Sequence, residues 1–198
     1  MNYYLEGVLK WPFRARHSFG FGIHSPYGFS FITGVLRDAS SGYYAYDELG
    51  EVASRHGRSE REARGLYRVL LHLRGEFGCP AELSSEGSSE STGEARSFLS
   101  EIAAMAILEQ EPERLPLLLA DSFKGEAEGA AEVVRERLAG KGGAFLLTGV
   151  NRSREGRRLR RLLLNNPPAG MVFDGWHSML VVARRGLPSQ VFQVLFPR

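Results

Sequence analysis

From Pro116 onward the chain alternates short, wholly apolar runs with stretches of helical spacing, and this alternation constrains the fold more than any other feature. Residues 116–120 (Pro-Leu-Leu-Leu-Ala) and 143–148 (Gly-Ala-Phe-Leu-Leu-Thr) do not alternate apolar with polar positions. A strand with one wet face does alternate, so runs of this kind belong to strands covered on both faces. Between them, residues 124–139 place Val133, Val134 and Leu138 at helical spacing. Residues 153–164 do the same with Leu159, Leu162 and Leu163, and stop at Asn165-Asn166-Pro167-Pro168. Three further strands are expected at 171–173, 178–184 and 190–196, the last two separated by Gly186-Leu187-Pro188-Ser189. The pattern predicts an α/β layer fold with a mainly parallel sheet that closes in an antiparallel hairpin from 178 to 196.

The first third of the chain reads differently. Pro26 begins a helix with Ser25 as its N-cap, and Phe29, Ile32, Val35 and Leu36 share one face. The glycines around Gly20 and Gly22 disfavour a helix before it. Leu66, Val69, Leu70 and Leu73 form a second helical stripe, with Gly57 breaking the run and Ser59 and Glu62 spaced as a capping box. The expected organisation is a helical N-terminal extension over 1–75 and an α/β core over 76–198. Residues 81–95 are rich in Ser, Glu and Gly, compatible with a linker or with a turn into a helix from 93 to 109.

The 198 residues are 43% hydrophobic, enough to exclude a fully disordered chain. Cys79, the only cysteine, excludes an internal disulfide framework and a cysteine-based zinc site. No apolar run approaches the roughly 20 residues of a membrane span. The first 20 residues lack the apolar segment of a signal peptide, so a cytoplasmic protein without membrane contact is expected. Charge is uneven: 76–132 carries thirteen acidic residues against three basic, and 141–198 ten basic against two acidic. The two segments either pair with each other or leave a basic patch for an anionic partner.

Gly22-Ile23-His24-Ser25-Pro26-Tyr27-Gly28-Phe29, Tyr43-Tyr44-Ala45-Tyr46, and Met171 to His177 followed by Ser178 to Gly186 occur in an order that resembles a methyltransferase-like family of Bacteroidetes-type bacteria. The resemblance covers about two-thirds of the chain. It implies a Rossmann-like, class I S-adenosylmethionine-dependent methyltransferase core, shortened here, with S-adenosylmethionine as cofactor and a small-molecule methyl acceptor that the sequence does not name.

Three departures follow from the same resemblance. Where active members carry a Gly-Thr-Ser-x-Gly-like cofactor loop, this chain has Ser85-Glu86-Gly87-Ser88-Ser89-Glu90-Ser91, with Gly87 kept and Ser91 at the second glycine position. Between Gly87 and Leu117 there is room for one helix, so a βα unit, and with it the ribose-binding acid, is missing. Asp121 matches the start of an Asp-Gly-Asn-His-like motif, but the next strand ends in Thr148-Gly149 rather than paired aspartates. One carboxylate holds a divalent cation poorly, so no metal site is expected. Residual cofactor contacts are expected at Gly87, Ser88, Ser89 and Asp121, with Asp121 alternatively a helix N-cap.

His24 and His177 are candidate acids or bases, and equally packing or surface residues. Trp176 reads as core or interface and Cys79 as a small buried side chain. Arg154, Arg157, Arg158 and Arg161 share one side of the 153–164 helix, a face that either pairs internally or attracts nucleic acid. The functional expectation is a methyltransferase homologue with a degenerate cofactor site. The alternative is a non-enzymatic binding or scaffold protein on the same fold, meeting an anionic partner such as nucleic acid through the Arg-rich helix.

Overall fold

The computed structural model describes residues 3–37, 42–83, 97–106 and 114–196. Strands β1 (Phe77–Glu82), β2 (Leu115–Asp121), β3 (Gly143–Thr148), β4 (Met171–Asp174), β5 (Met179–Ala183) and β6 (Gln190–Gln193) form one sheet in the order β1-β2-β3-β5-β4-β6. The pairs β1–β2, β2–β3 and β4–β6 are parallel, and β5 runs antiparallel to both β3 and β4. This is the mainly parallel, Rossmann-like sheet with antiparallel C-terminal strands that the sequence predicts.

The hairpin itself has different partners. β4 and β5 form it, with Asp174 opposite Met179, and β6 then pairs with the far side of β4 instead of with β5. Burial explains the exchange. All five residues of β5 are buried, so β5 takes an interior position, whereas Gln190 and Val191 of β6 are exposed and tolerate an edge.

Alternate residues of the strands feed two cores. Leu117, Leu119, Ala144, Leu146, Phe173, Leu180 and Val182 face helices α2 (Pro26–Phe31), α3 (Tyr46–Arg55), α4 (Glu60–Leu73) and α5 (Phe98–Ala106), with a π-helical turn, Ile32–Leu36, continuing α2. Leu118, Ala120, Phe145, Leu147, Val172 and Val181 face α6 (Ala127–Ala139) and α7 (Arg154–Asn165). The N-terminal helices thus share a core with the sheet and form its cover on one side. Among the described residues no helix is long and apolar enough to cross a membrane.

The caps expected at Ser25 and Ser59 form, and Ser153 caps α7 in the same way. Ser25, Ser59 and Ser153 accept from the backbone N–H groups of Gly28, Glu62 and Gly156 at 3.2, 3.1 and 2.8 Å. Helix α1 (Tyr3–Ser18) was not legible, because it carries Pro12 in its interior, where proline removes a hydrogen bond and clashes with the preceding turn.

One connection is topologically unusual. β1–α5–β2 and β2–α6–β3 step the same way along the sheet with their helices on opposite faces, so they have opposite hands. The crossover through α7 shares the face of α6, which leaves β1–α5–β2 as the odd one of the three. Connections between parallel strands are right-handed in about 98% of cases.

Candidate functional site

The parallel strands place Asp121, Thr148 and Asp174, the last residues of β2, β3 and β4, along one edge of the sheet. In open α/β sheets this is the edge where ligands bind. Asp121 and Asp174 are both engaged there by arginines from distant parts of the chain.

Asp121 Oδ1 accepts from Arg58 Nη2 at 2.6 Å and from Thr148 Oγ1 at 2.7 Å, with Ser122 Oγ at 3.4 Å. Arg58 also donates to Glu62 Oε1 at 2.9 Å and to Ser122 Oγ at 3.1 Å, and its guanidinium lies 5.0 Å from the centre of the Phe98 ring. The Arg58 side chain is 4% exposed and that of Asp121 10%. Sequence places Arg58 just ahead of α4, where Gly57, at φ +60°, turns the chain. Ser59 caps α4 as expected, but the Glu62 carboxylate takes Arg58. Burial pushes the Glu62 carboxyl up against the opposing pull of Arg58 and Arg152. Gly149 lies against this cluster at φ +61°, where a Cβ would come within 2.5 Å of Ser122 Oγ and 3.0 Å of Arg58 Nη2. Ser122 itself holds a positive φ of 51°, a strained conformation fixed by its N–H bond to Thr148 O at 3.0 Å.

Asp174 is more deeply enclosed. Arg160 Nε and Nη2 donate to its two carboxylate oxygens at 2.6 and 2.7 Å, and Arg14 Nη2 adds a bond to Oδ2 at 2.8 Å. Arg14 Nη1 also donates to the Asp174 carbonyl at 2.6 Å. Trp176, at φ +71°, lies beneath both guanidiniums, 5.4 Å from Arg14 and 5.0 Å from Arg160. Burial raises the Asp174 carboxyl, but the hydrogen bonds and charge of Arg160 and the charge of Arg14 outweigh it, and the group is held below the usual carboxylate range.

Of the residues expected to hold a cofactor, Gly87, Ser88 and Ser89 lie outside the described residues. Asp121 is at the strand end as expected, and it is not the N-cap of α6. Glu126 is, accepting from Glu128 N at 3.0 Å and from Gly129 N at 2.6 Å. One of its two carboxylate oxygens, Oδ1, is taken by Arg58, Thr148 and Ser122, so the strand-end acid is drawn into contacts within the protein. Among the described residues no three His, Cys, Asp or Glu side chains converge on a point that could hold a metal. His177 borders a small cleft of ≈ 230 Å³ shared with Arg58, Glu62, Arg152 and Asn151, whereas His24 is exposed and not part of it. Trp176 is buried as expected, and the side chain of Cys79 lies outside the described residues.

The Arg-rich helix α7 does not present a uniform stripe. Arg160 is buried against Asp174, Arg158 pairs with Glu128 on α6, and Arg157 donates to Asn151 O at 2.8 Å, leaving Arg154 and Arg161 exposed. Sequence reasoning missed Arg14 and Arg58 altogether, and read Glu62 only as part of a capping box. Asp174 was findable by the rule that singled out Asp121, since it too ends a strand.

Fold and site together define a Rossmann-like α/β domain whose strand-end carboxylates are held by internal arginines. No protein-family model matches the chain, no curated protein matches its sequence, and no solved structure matches its fold.

Proposed function

We propose that this chain is a relative of S-adenosylmethionine-dependent methyltransferases whose cofactor site has degenerated, and that it works by binding rather than by methyl transfer. The observation that carries the reading is the Arg58–Asp121 ion pair, which commits the strand-end carboxylate to the protein itself. The odd hand of β1–α5–β2 supports it: excising strands that once lay beyond β1 would leave such a connection. Fold alone does not fix activity, so the reading rests on the site. The internal contacts of Arg157, Arg158 and Arg160 favour a structural role for α7 over contact with nucleic acid. Calorimetric titration with S-adenosylmethionine and S-adenosylhomocysteine tests the proposal. No heat up to millimolar ligand is expected; micromolar affinity would overturn it.

A further inference from the structure

A second cleft, of ≈ 440 Å³, lies between the end of α1, the π-helical turn and α4, away from the Arg58 cluster. Arg37, Arg61, Arg64 and Arg68 line it, with Glu60 the one acid in its wall among the described residues. Arg61, Arg64 and Arg68 fall at i, i+3 and i+7 of α4, so one side of the helix carries all three while Leu66, Val69, Leu70 and Leu73 bury the other. Glu60 is taken by Arg64 through an i, i+4 pair. Among the described residues no carboxylate pairs with Arg37, Arg61 or Arg68. Arg68 is held by Val35 O at 3.4 Å and Tyr46 Oη at 3.3 Å, both neutral. Arg37 lies 4.2 Å from the centre of the Phe19 ring and Arg64 4.6 Å from that of Tyr46. The Nε–H of Arg64 is buried without an acceptor.

Arg37, Arg61 and Arg68 bring like charges to the wall of one cleft, and an anion bound there would offset their mutual repulsion. Guanidinium groups present paired donors that match phosphate oxygens. The rest of the cleft is not ionic: Leu36 and Phe196 form part of its wall, and Phe19 is 56% exposed at its rim. An apolar, half-open aromatic beside phosphate-matching donors is the combination that holds a nucleotide, with its base against the ring and its phosphate on the cations. The volume lies within the range of small-molecule sites.

We propose that this cleft binds a nucleotide through its phosphate, with Arg37, Arg61 and Arg68 on the oxygens and Phe19 against the base. The nucleotide is either free or part of a single-stranded RNA, and the inference does not depend on the methyltransferase reading.

The test is calorimetric titration of the full chain at 50 mM salt with AMP, adenosine and inorganic phosphate, alongside fluorescence anisotropy with a labelled single-stranded oligoadenylate. AMP is expected to bind more tightly than phosphate, and adenosine not to bind. Arg61→Ala and Arg68→Ala should each weaken AMP binding about tenfold or more, the loss expected for a charged hydrogen bond. Phe19→Ala should weaken AMP but leave phosphate unchanged. Arg61 is exposed, so its variant should unfold at the same temperature as the parent, which separates a binding loss from a folding loss. Oligoadenylate binding that is tighter than AMP and falls steeply by 200 mM salt identifies RNA as the source; equal affinity identifies the free nucleotide. Absence of binding to both AMP and oligoadenylate overturns the proposal. So does binding that survives the α4 substitutions and is lost instead in Arg154→Ala/Arg161→Ala.

Discussion

Asp121 and Asp174 occupy equivalent places, each the last residue of a parallel strand on the ligand-binding edge, and the chain treats them differently. Asp174 is sealed: two arginines bind it, an indole covers them, and its side chain is 2% exposed. Asp121 is latched: Arg58, Thr148 and Ser122 reach one of its two carboxylate oxygens, and Arg58 itself lines a small cleft. A carboxylate buried to the degree of Asp174 is costly unless it is fully paired, so its partners are fixed parts of the core. Asp121 pays less in desolvation and needs fewer partners. The edge is therefore built into the core at β4, and rests on one arginine with two hydroxyls at β2.

The comparison predicts a ranking of losses. Asp174→Ala strands two buried guanidiniums and should cost about 3–5 kcal/mol in urea unfolding, or prevent folding. Arg58→Met removes one partner from a less buried carboxylate and should cost about 1–3 kcal/mol. If the two losses came out equal, the distinction between a sealed and a latched end would fail.

Acid should expose the same difference. Asp174 has its carboxyl depressed in the fold, so it binds protons less readily there than in the unfolded chain. Its contribution is therefore complete above the unfolded value of about 3.9 and drains away as pH falls through the lower folded value. Stability followed by denaturant unfolding as pH falls from about 5 through the carboxylate range should fall less steeply in Arg160→Met than in the parent. An unchanged slope would contradict the assigned role of the pair.

The smallest effect belongs to the surface. Arg158→Ala breaks a half-exposed pair with Glu128 and should change stability by about 0.2–1 kcal/mol. A larger loss would mean that α7 depends on its charges more than on Leu159 and Leu163.

Much of the sheet was legible because its signals are local. The apolar runs of β2 and β3, the caps at Ser25 and Ser59, and the stripe on α4 each depend on residues within a few positions of one another. The hairpin partners were not, because the choice between β4 and β6 depends on which strand tolerates an exposed edge. Asp121 was legible as a strand-end residue, but its partner Arg58 lies 63 positions away, and Arg14 lies 160 positions from Asp174. No spacing rule connects residues so far apart. On α4 only the apolar stripe and the cap were read; that its arginines form a cleft with Arg37 and Phe19 depends on residues too far apart for any spacing rule.

The central claim, that Asp121 is committed to Arg58, is tested most directly by a double-mutant cycle. Urea unfolding of the parent, Arg58→Ala, Asp121→Ala and the double variant isolates the energy of the pair from the other contacts of each residue. The account predicts that the single losses do not add, with a coupling of about 1–3 kcal/mol. Additive losses, within about 0.3 kcal/mol, would show that the strand-end carboxylate is uncommitted and would contradict the account.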